Sequence, residues 1–269
     1  MVEMSSDNLS ISNLSWSGKE KIFNKIILKY NIKNIEIAPT KIWGSWDNIN
    51  LEKIKEFKKK LNDKNINISS FQSLTFGFKE SILNKDSNNF YESHFDKLID
   101  YASILKTKAL VFGSPSIRKF HKKRGRSSHN AVKFFKMISG LIKKKKSSVI
   151  LMIEPNPTIY GCEFLNSHKE VFNFLEKLNL KNIKSNFDYG AKILNNENIL
   201  NKDFNKYIGH VHISAPKLEQ IIIWKNLINS KKLKFLKNFK NMINLELLNI
   251  NNEQELEKNI NYFIEILKK

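Results

Sequence analysis

The strongest constraint on this chain is an alternation: short apolar, β-branched runs give way to longer stretches of helical periodicity, and the cycle repeats through all 269 residues. Such alternation marks repeated βα units, whose strands are buried in a parallel sheet covered by helices. The strand-like runs are Leu9 to Leu14, Asn34 to Ala38, Ile66 to Phe71, Ala109 to Gly113, Val149 to Glu154, Ile183 to Asp188, His210 to Ser214 and Ile243 to Leu248. Helical patterns cover Lys19 to Tyr30, Leu51 to Leu61, Tyr91 to Leu105, Ala131 to Lys144, Lys169 to Leu178, roughly Asn198 to Tyr207, Lys217 to Leu236 with a break near Ser230, and Gln254 to Leu267. In the last, Leu256, Ile260, Phe263 and Leu267 recur at spacings of four, three and four, which puts one apolar stripe against a sheet. Eight such units close most naturally as a (β/α)8 TIM barrel, and the expectation is a single α/β barrel domain over residues 1–269. An open doubly wound sheet is the competing arrangement, but no glycine-rich dinucleotide turn follows the first strand.

Composition narrows the setting. A hydrophobic fraction of 41% supports a sizeable core, no run of 18 apolar residues appears, and MVEMSSDNLS has neither a basic start nor an apolar signal core. A cytoplasmic protein without a membrane segment is expected. Cys162 is the only cysteine, so no intrachain disulfide forms, and beside Phe164 it reads as packing rather than as a nucleophile. The formal charge of +20 would ordinarily raise nucleic acid as a partner. With 43 Lys and 35 Asn against 3 Arg, however, the charge reflects a residue bias spread over solvated helix faces. The three arginines are more informative: Arg118, Arg124 and Arg126 fall within nine residues, directly after ALVFGSP. Planar bidentate donors concentrated in one loop suit phosphate or carboxylate, and Arg118 is the expected contact to an anionic substrate group.

Four strand ends carry the chemistry. ILMIEPN, IKSNFDYG, GHVHIS and INLELL present Glu154, Asp188, His212 and Glu246 at intervals of 34, 24 and 34 residues. Inward residues at the carboxyl ends of barrel strands converge on one cup. Two Glu, one Asp and one imidazole make a mostly hard site suited to one divalent cation, Mn²⁺, Mg²⁺, Co²⁺ or Zn²⁺. Glu154 closes an apolar run before Pro155, and Glu246 sits between Leu245 and Leu247, where a carboxylate needs a metal, a cation or a proton. His210 shares a strand face with His212 one layer deeper, placed to orient or polarise rather than to coordinate.

With IEIAPTKIWGSW, LVFGSPSIR, IEPNPTIYGCEFLN, FDYG, GHVH and NLELL, the chain resembles the sugar phosphate isomerase/epimerase family of the xylose-isomerase-like TIM barrels. That resemblance implies one divalent cation held by Glu154, Asp188, His212 and Glu246. It also implies an isomerase or epimerase acting on a sugar, sugar phosphate or related polyol through an enediolate. Glu154 and Glu246 would remove and return the proton, with His210 assisting. Around the mouth, Glu36, Lys41, Gln72, Ser116, Asn156 and Tyr160 are expected to bind hydroxyls, and Trp43 to wall or stack on a sugar. Ketose 3-epimerases carry a histidine where this chain has Ala191 and a glutamate where it has Tyr160, so a free ketohexose is not implied.

Two alternatives belong to other classes. An endonuclease-IV-like DNA repair enzyme needs three zinc ions and histidines at strand ends that here carry Gln72 and Ser114. A non-catalytic barrel binding a sugar or partner has little need of two metal-bound carboxylates. The expected partner is a small-molecule sugar or sugar phosphate, not nucleic acid, and a homo-oligomer is compatible with the sequence. His94, His121, His129 and His168 read as surface residues.

Overall fold

The computed structural model describes residues 6–16, 20–84, 87–120, 124–198, 206–236, 239–248 and 250–268. Each of the eight strand-like runs forms a strand: β1 (Leu9–Ser12), β2 (Asn34–Ile37), β3 (Asn67–Phe71), β4 (Ala109–Phe112), β5 (Ile150–Ile153), β6 (Ile183–Asp188), β7 (Ile208–Ile213) and β8 (Ile243–Leu245). They pair in parallel in sequence order, and β8 closes on β1 to complete the barrel.

The helices are α1 (Glu20–Tyr30), α2 (Pro39–Trp43), α3 (Leu51–Asn62), α4 (Ser87–Ile104), α5 (Arg124–Lys144), α6 (His168–Leu178), α7 (Tyr189–Leu194) and α8 (Glu253–Lys268). Several start on side-chain caps that satisfy orphan backbone donors: Asn50 accepts from Lys53 N at α3, and Ser167 from Glu170 N at α6. The helix expected over Asn198 to Tyr207 lies mostly outside the described residues; β6 leads instead straight into α7. The long helix expected over Lys217 to Leu236 is a correction. This stretch is a series of 3-10 turns, Pro216–Leu218, Ile221–Trp224 and Lys234–Leu236. Lys217 and Leu218 stand in the left-handed region, with φ of 57° and 56°, which a right-handed helix cannot include.

Alternate strand residues face two different environments. Outward side chains such as Ile37, Phe71, Phe112, Ile153, Val211 and Leu245 join the apolar layer beneath the helices. Barrel interiors are commonly filled with branched apolar layers, yet here six of the eight strands turn polar groups inward. Only β4 and β5 contribute apolar filling, a small separate cluster of Ala109, Val111 and Met152. The buried polar groups engage one another, as in Ser10 Oγ to Ser69 Oγ at 2.7 Å and Gln72 Nε2 to Glu36 Oε1 at 2.7 Å. No helix among the described residues is long and apolar enough to cross a membrane.

The carboxyl end of β6 packs so closely on that of β7 that Gly190 has no room for a side chain. A Cβ there would stand 2.7 Å from Ser214 Oγ and 2.8 Å from Ala215 O. Gly190→Ala is therefore expected to cost about 1–3 kcal/mol, measured as a lowered urea midpoint; an unchanged midpoint would show that the β6–β7 junction can open.

Candidate metal centre

The barrel brings the four strand-end residues together. Asp188 ends β6 and pairs in register with His212 of β7, which in turn pairs with Asn244 of β8. Glu154 and Glu246 stand just past β5 and β8, their amides still in the ladder through Phe112 O at 3.0 Å and Ile213 O at 3.1 Å. One ligand atom from each of Glu154, Asp188, His212 and Glu246 lies within 4.8 Å of every other. The three carboxylates line a cavity of about 480 Å³ at the carboxyl end of the barrel.

Crowding three acids in a buried place has an electrostatic cost. Burial, then the Glu154 and Glu246 charges, push the Asp188 carboxyl up to about 7. Burial likewise raises Glu246, although His212 opposes it. Burial alone would raise Glu154, but the adjoining His212 imidazole and the amides of Asn186 and Asn156 outweigh it and hold it below the usual range. His212 Nδ1 lies 3.0 Å from both Glu154 Oε1 and Glu246 Oε2, yet it is aimed at neither in hydrogen-bond geometry. A buried nitrogen without a hydrogen bond, facing three carboxylates, fits a divalent cation by position, charge and donor type. Gly113 makes room for the arrangement, since a Cβ there would stand 2.5 Å from Glu154 Oε2.

Beneath this cup lies a second polar layer. Glu36, expected among the substrate contacts, is fully buried and does not reach the mouth. Its carboxylate accepts hydrogen bonds from Ser70 Oγ, Gln72 Nε2 and Asn244 Nδ2, each at 2.7 Å, and faces His212 Nε2 at 2.9 Å. Burial by itself would raise Glu36, but His212 and the other donors hold it ionised. Glu36 thereby fixes the His212 Nε2 proton and directs Nδ1 at the cup, the carboxylate–histidine arrangement typical of metal sites. His210 also lies below. Asn186 Nδ2 donates to Glu154 Oε1 at 2.7 Å, so its oxygen accepts from His210 Nδ1 at 2.9 Å. Burial and His212 push the His210 imidazole down to about 3, which keeps it neutral. Among these contacts it reaches Glu154 through Asn186.

Of the remaining expected substrate residues, Gln72, Asn156 and Tyr160 line the cavity, whereas Lys41, Trp43 and Ser116 do not. Trp43 packs edge-on against Phe57 of α3, with ring centroids 5.2 Å apart. Arg118 is the clearest correction. Its side chain is completely buried, with Nη1 3.3 Å from Phe164 O and Leu165 O and Nη2 3.1 Å from Glu154 O. The planar fork is used on inward-turned carbonyls of the loop after β5, not on an anion at the mouth. The side chains of Arg124 and Arg126, and all of His121, lie outside the described residues.

Two functional placements escaped sequence reasoning. Lys217, in the loop after β7, is the cation lining the cavity among the described residues, in a left-handed conformation with φ of 57°. His168, expected at the surface, is fully buried; its Nε2 accepts from Asp188 N at 3.2 Å and its Nδ1 meets Glu197 Oε1 at 3.0 Å. Its position before the apolar run of α6 was a weak signal, since an N-terminal helix residue is usually solvated. His94 is also a correction, being bonded to Leu74 O at 2.7 Å and packed on Trp46. Cys162 is buried, as packing requires.

The comparisons agree with this architecture. The chain belongs to the xylose isomerase-like TIM barrel family, whose model matches residues 25–229. Among solved structures it is similar to the apo form of 3-keto-D-glucoside 4-epimerase, YcjR, from E. coli, with a TM-score of 0.73, 11% identity and coverage of 96% of this chain and 98% of that one. It is similar to a D-psicose 3-epimerase solved in the presence of D-fructose, at 0.74, 13%, 97% and 100%. It is also similar to a family 2 AP endonuclease from Brucella melitensis, at 0.68, 13%, 95% and 99%. At these identities the likeness is one of fold. No curated protein sequence matches the chain.

The raised Asp188 carboxyl has a definite pH signature. Between its ordinary value of 3.8 and about 7, the folded metal-free chain keeps a proton that the unfolded chain has released, so this group's contribution makes stability fall as pH rises. Thermal melts of the metal-free protein should show that fall lessened in Asp188→Asn, which should also lose tight Mn²⁺ binding by calorimetry. A steeper fall in the variant would be inconsistent with the crowded cup. Glu36→Gln is expected to weaken Mn²⁺ affinity about 10–100-fold without touching the cavity; unchanged affinity would remove its orienting role.

Proposed function

We propose that this chain is a divalent-metal-dependent isomerase or epimerase that acts on a sugar, sugar phosphate or related polyol by proton transfer at carbon. The observation that carries the reading is the convergence of Glu154, Asp188, His212 and Glu246, with one ligand atom of each within 4.8 Å of the others, where the three carboxylates line an open cavity. Nearest in chemistry are the sugar epimerases among the structural neighbours. A cation held by these four residues supplies polarisation of a substrate carbonyl and its neighbouring hydroxyl, which acidifies the C–H bond between them.

The proton work falls to the chain's own carboxylates. Glu154 is held below the ordinary range and Glu246 above it. Both carboxylates line the cavity, where one can take a proton from a substrate and the other return one. His210 holds Asn186, and Asn186 holds Glu154 Oε1, so the deeper histidine positions a reacting carboxylate. Asn156 Oδ1 has no hydrogen-bond partner and is available to a substrate hydroxyl. Tyr160 accepts from Lys217 N at 2.8 Å, and burial pushes its phenol up to about 12, so it stays a donor. An anionic substrate group would meet Lys217 rather than Arg118. The DNA repair alternative would need further ligands where Gln72 and Ser114 stand.

The test is deuterium incorporation from D₂O into a panel of ketoses, aldoses and sugar phosphates with Mn²⁺ present. Exchange at the carbon beside the carbonyl is expected, and Glu246→Gln should lose it by roughly 10²–10⁴-fold while keeping its circular dichroism. Full exchange in the variant would remove Glu246 from proton transfer. No exchange with any sugar, in protein that binds no metal, would leave a binding barrel.

A further inference from the structure

The opposite end of the barrel holds a second cavity, of about 540 Å³. That is within the range of small-molecule sites, roughly 300–1,000 Å³. It opens where the strands begin: Asn34 and Asn67 start β2 and β3, and Ala109 and Ile150 start β4 and β5. Five lysines line it from separate segments: Lys58 from α3, Lys106 and Lys108 from the turn before β4, Lys184 from β6 and Lys240 from the approach to β8. None of the five pairs with a carboxylate among the described residues, and no Asp or Glu is among the residues lining the cavity.

Lysine is abundant throughout this chain, but abundance on helix faces spreads charge outward into water. Here five lysines from four parts of the fold line one concavity that no carboxylate lines, which favours an anion there. The cavity also holds a polar atom that calls for a hydroxyl beside the anionic groups. His210 lines this cavity and its buried Nε2 has no hydrogen-bond partner. As Nδ1 donates to Asn186, Nε2 is an acceptor, suited to a hydroxyl or a water. Asn34, Asn62, Asn67 and Asn241 add amides, and no Phe, Tyr or Trp lines the cavity to stack on a nucleobase.

We infer that this amino-terminal cavity is a binding site for a small ligand bearing at least two phosphoryl groups and no aromatic base, separate from the metal centre at the other end. The shared chemistry has two sources, a condensed inorganic phosphate or a phosphorylated polyol. Inorganic tripolyphosphate and fructose 1,6-bisphosphate probe them in turn.

Calorimetry on the full chain, at low salt and without divalent metal, should show one-to-one binding of at least one probe, with affinity falling steeply as salt rises. Lys108→Gln with Lys240→Gln should weaken it at least tenfold, whereas Lys143→Gln with Lys144→Gln, the same charge removed from α5, should change it less than twofold. Binding of tripolyphosphate alone assigns the condensed phosphate, and tighter binding of the bisphosphate assigns the polyol. Thermal unfolding matching wild type checks that both pairs fold. No heat at millimolar probe would overturn the site, and so would equal weakening by the two pairs, which would show diffuse charge. Loss of binding in Lys217→Ala would overturn it too, by placing the anion at the catalytic mouth.

Discussion

The organisation of this barrel depends on one buried carboxylate. Glu36 sits at the centre of the interior, with side chains from β3, β7 and β8 and the adjoining Gln72 turned toward it. An unpaired charge in that position would be prohibitive, and removing one partner of such a network is commonly worth several kcal/mol. Its bonds explain why so much of the interior is polar. Each strand that faces Glu36 must bring a donor, and His212 is the donor that also reaches the carboxylate cup. The orientation of the nitrogen that faces the carboxylate cup is thus set one layer below the candidate metal site.

The same layering separates the tasks of the two histidines. His212 spans the layers, with one nitrogen toward Glu36 and the other toward the carboxylate cup. His210, two residues earlier on the same face, is kept neutral by burial and by its charged neighbour, and is directed at Asn186. Glu154 is braced on both sides: Asn186 holds its carboxylate and Arg118 holds its carbonyl. These contacts fix the position of the carboxylate in the cup. Gly113 contributes by having no side chain at all.

Ala191 and Tyr160 face the cavity beside the carboxylates of Glu154, Asp188 and Glu246. The fold is shared with sugar epimerases and with an AP endonuclease, so fold does not choose the reaction. The choice rests on the donor set and on the residues above it.

Much of this was legible in the chain. Alternating β and α periodicity implied the closed barrel, because short β-branched runs and amphipathic stripes can bury their apolar faces together in few other ways. Glu154, Asp188, His212 and Glu246 stood out because carboxylates and imidazoles are costly at the ends of apolar strands. What the sequence could not show was the direction of each side chain across the barrel. Glu36 and Arg118 have the composition of mouth residues, yet one is turned into the interior and the other into the loop carbonyls after β5. His168 was concealed in a helix start, and the turns after β7 resembled a helix because apolar content alone does not reveal which residues are buried. Local periodicity is written in neighbouring residues, and so the sequence by itself determined the barrel and its strand-end acids. Which polar groups meet is decided by contacts between residues tens to hundreds of positions apart, as between Glu36 and Asn244, and only closure of the barrel brings those together.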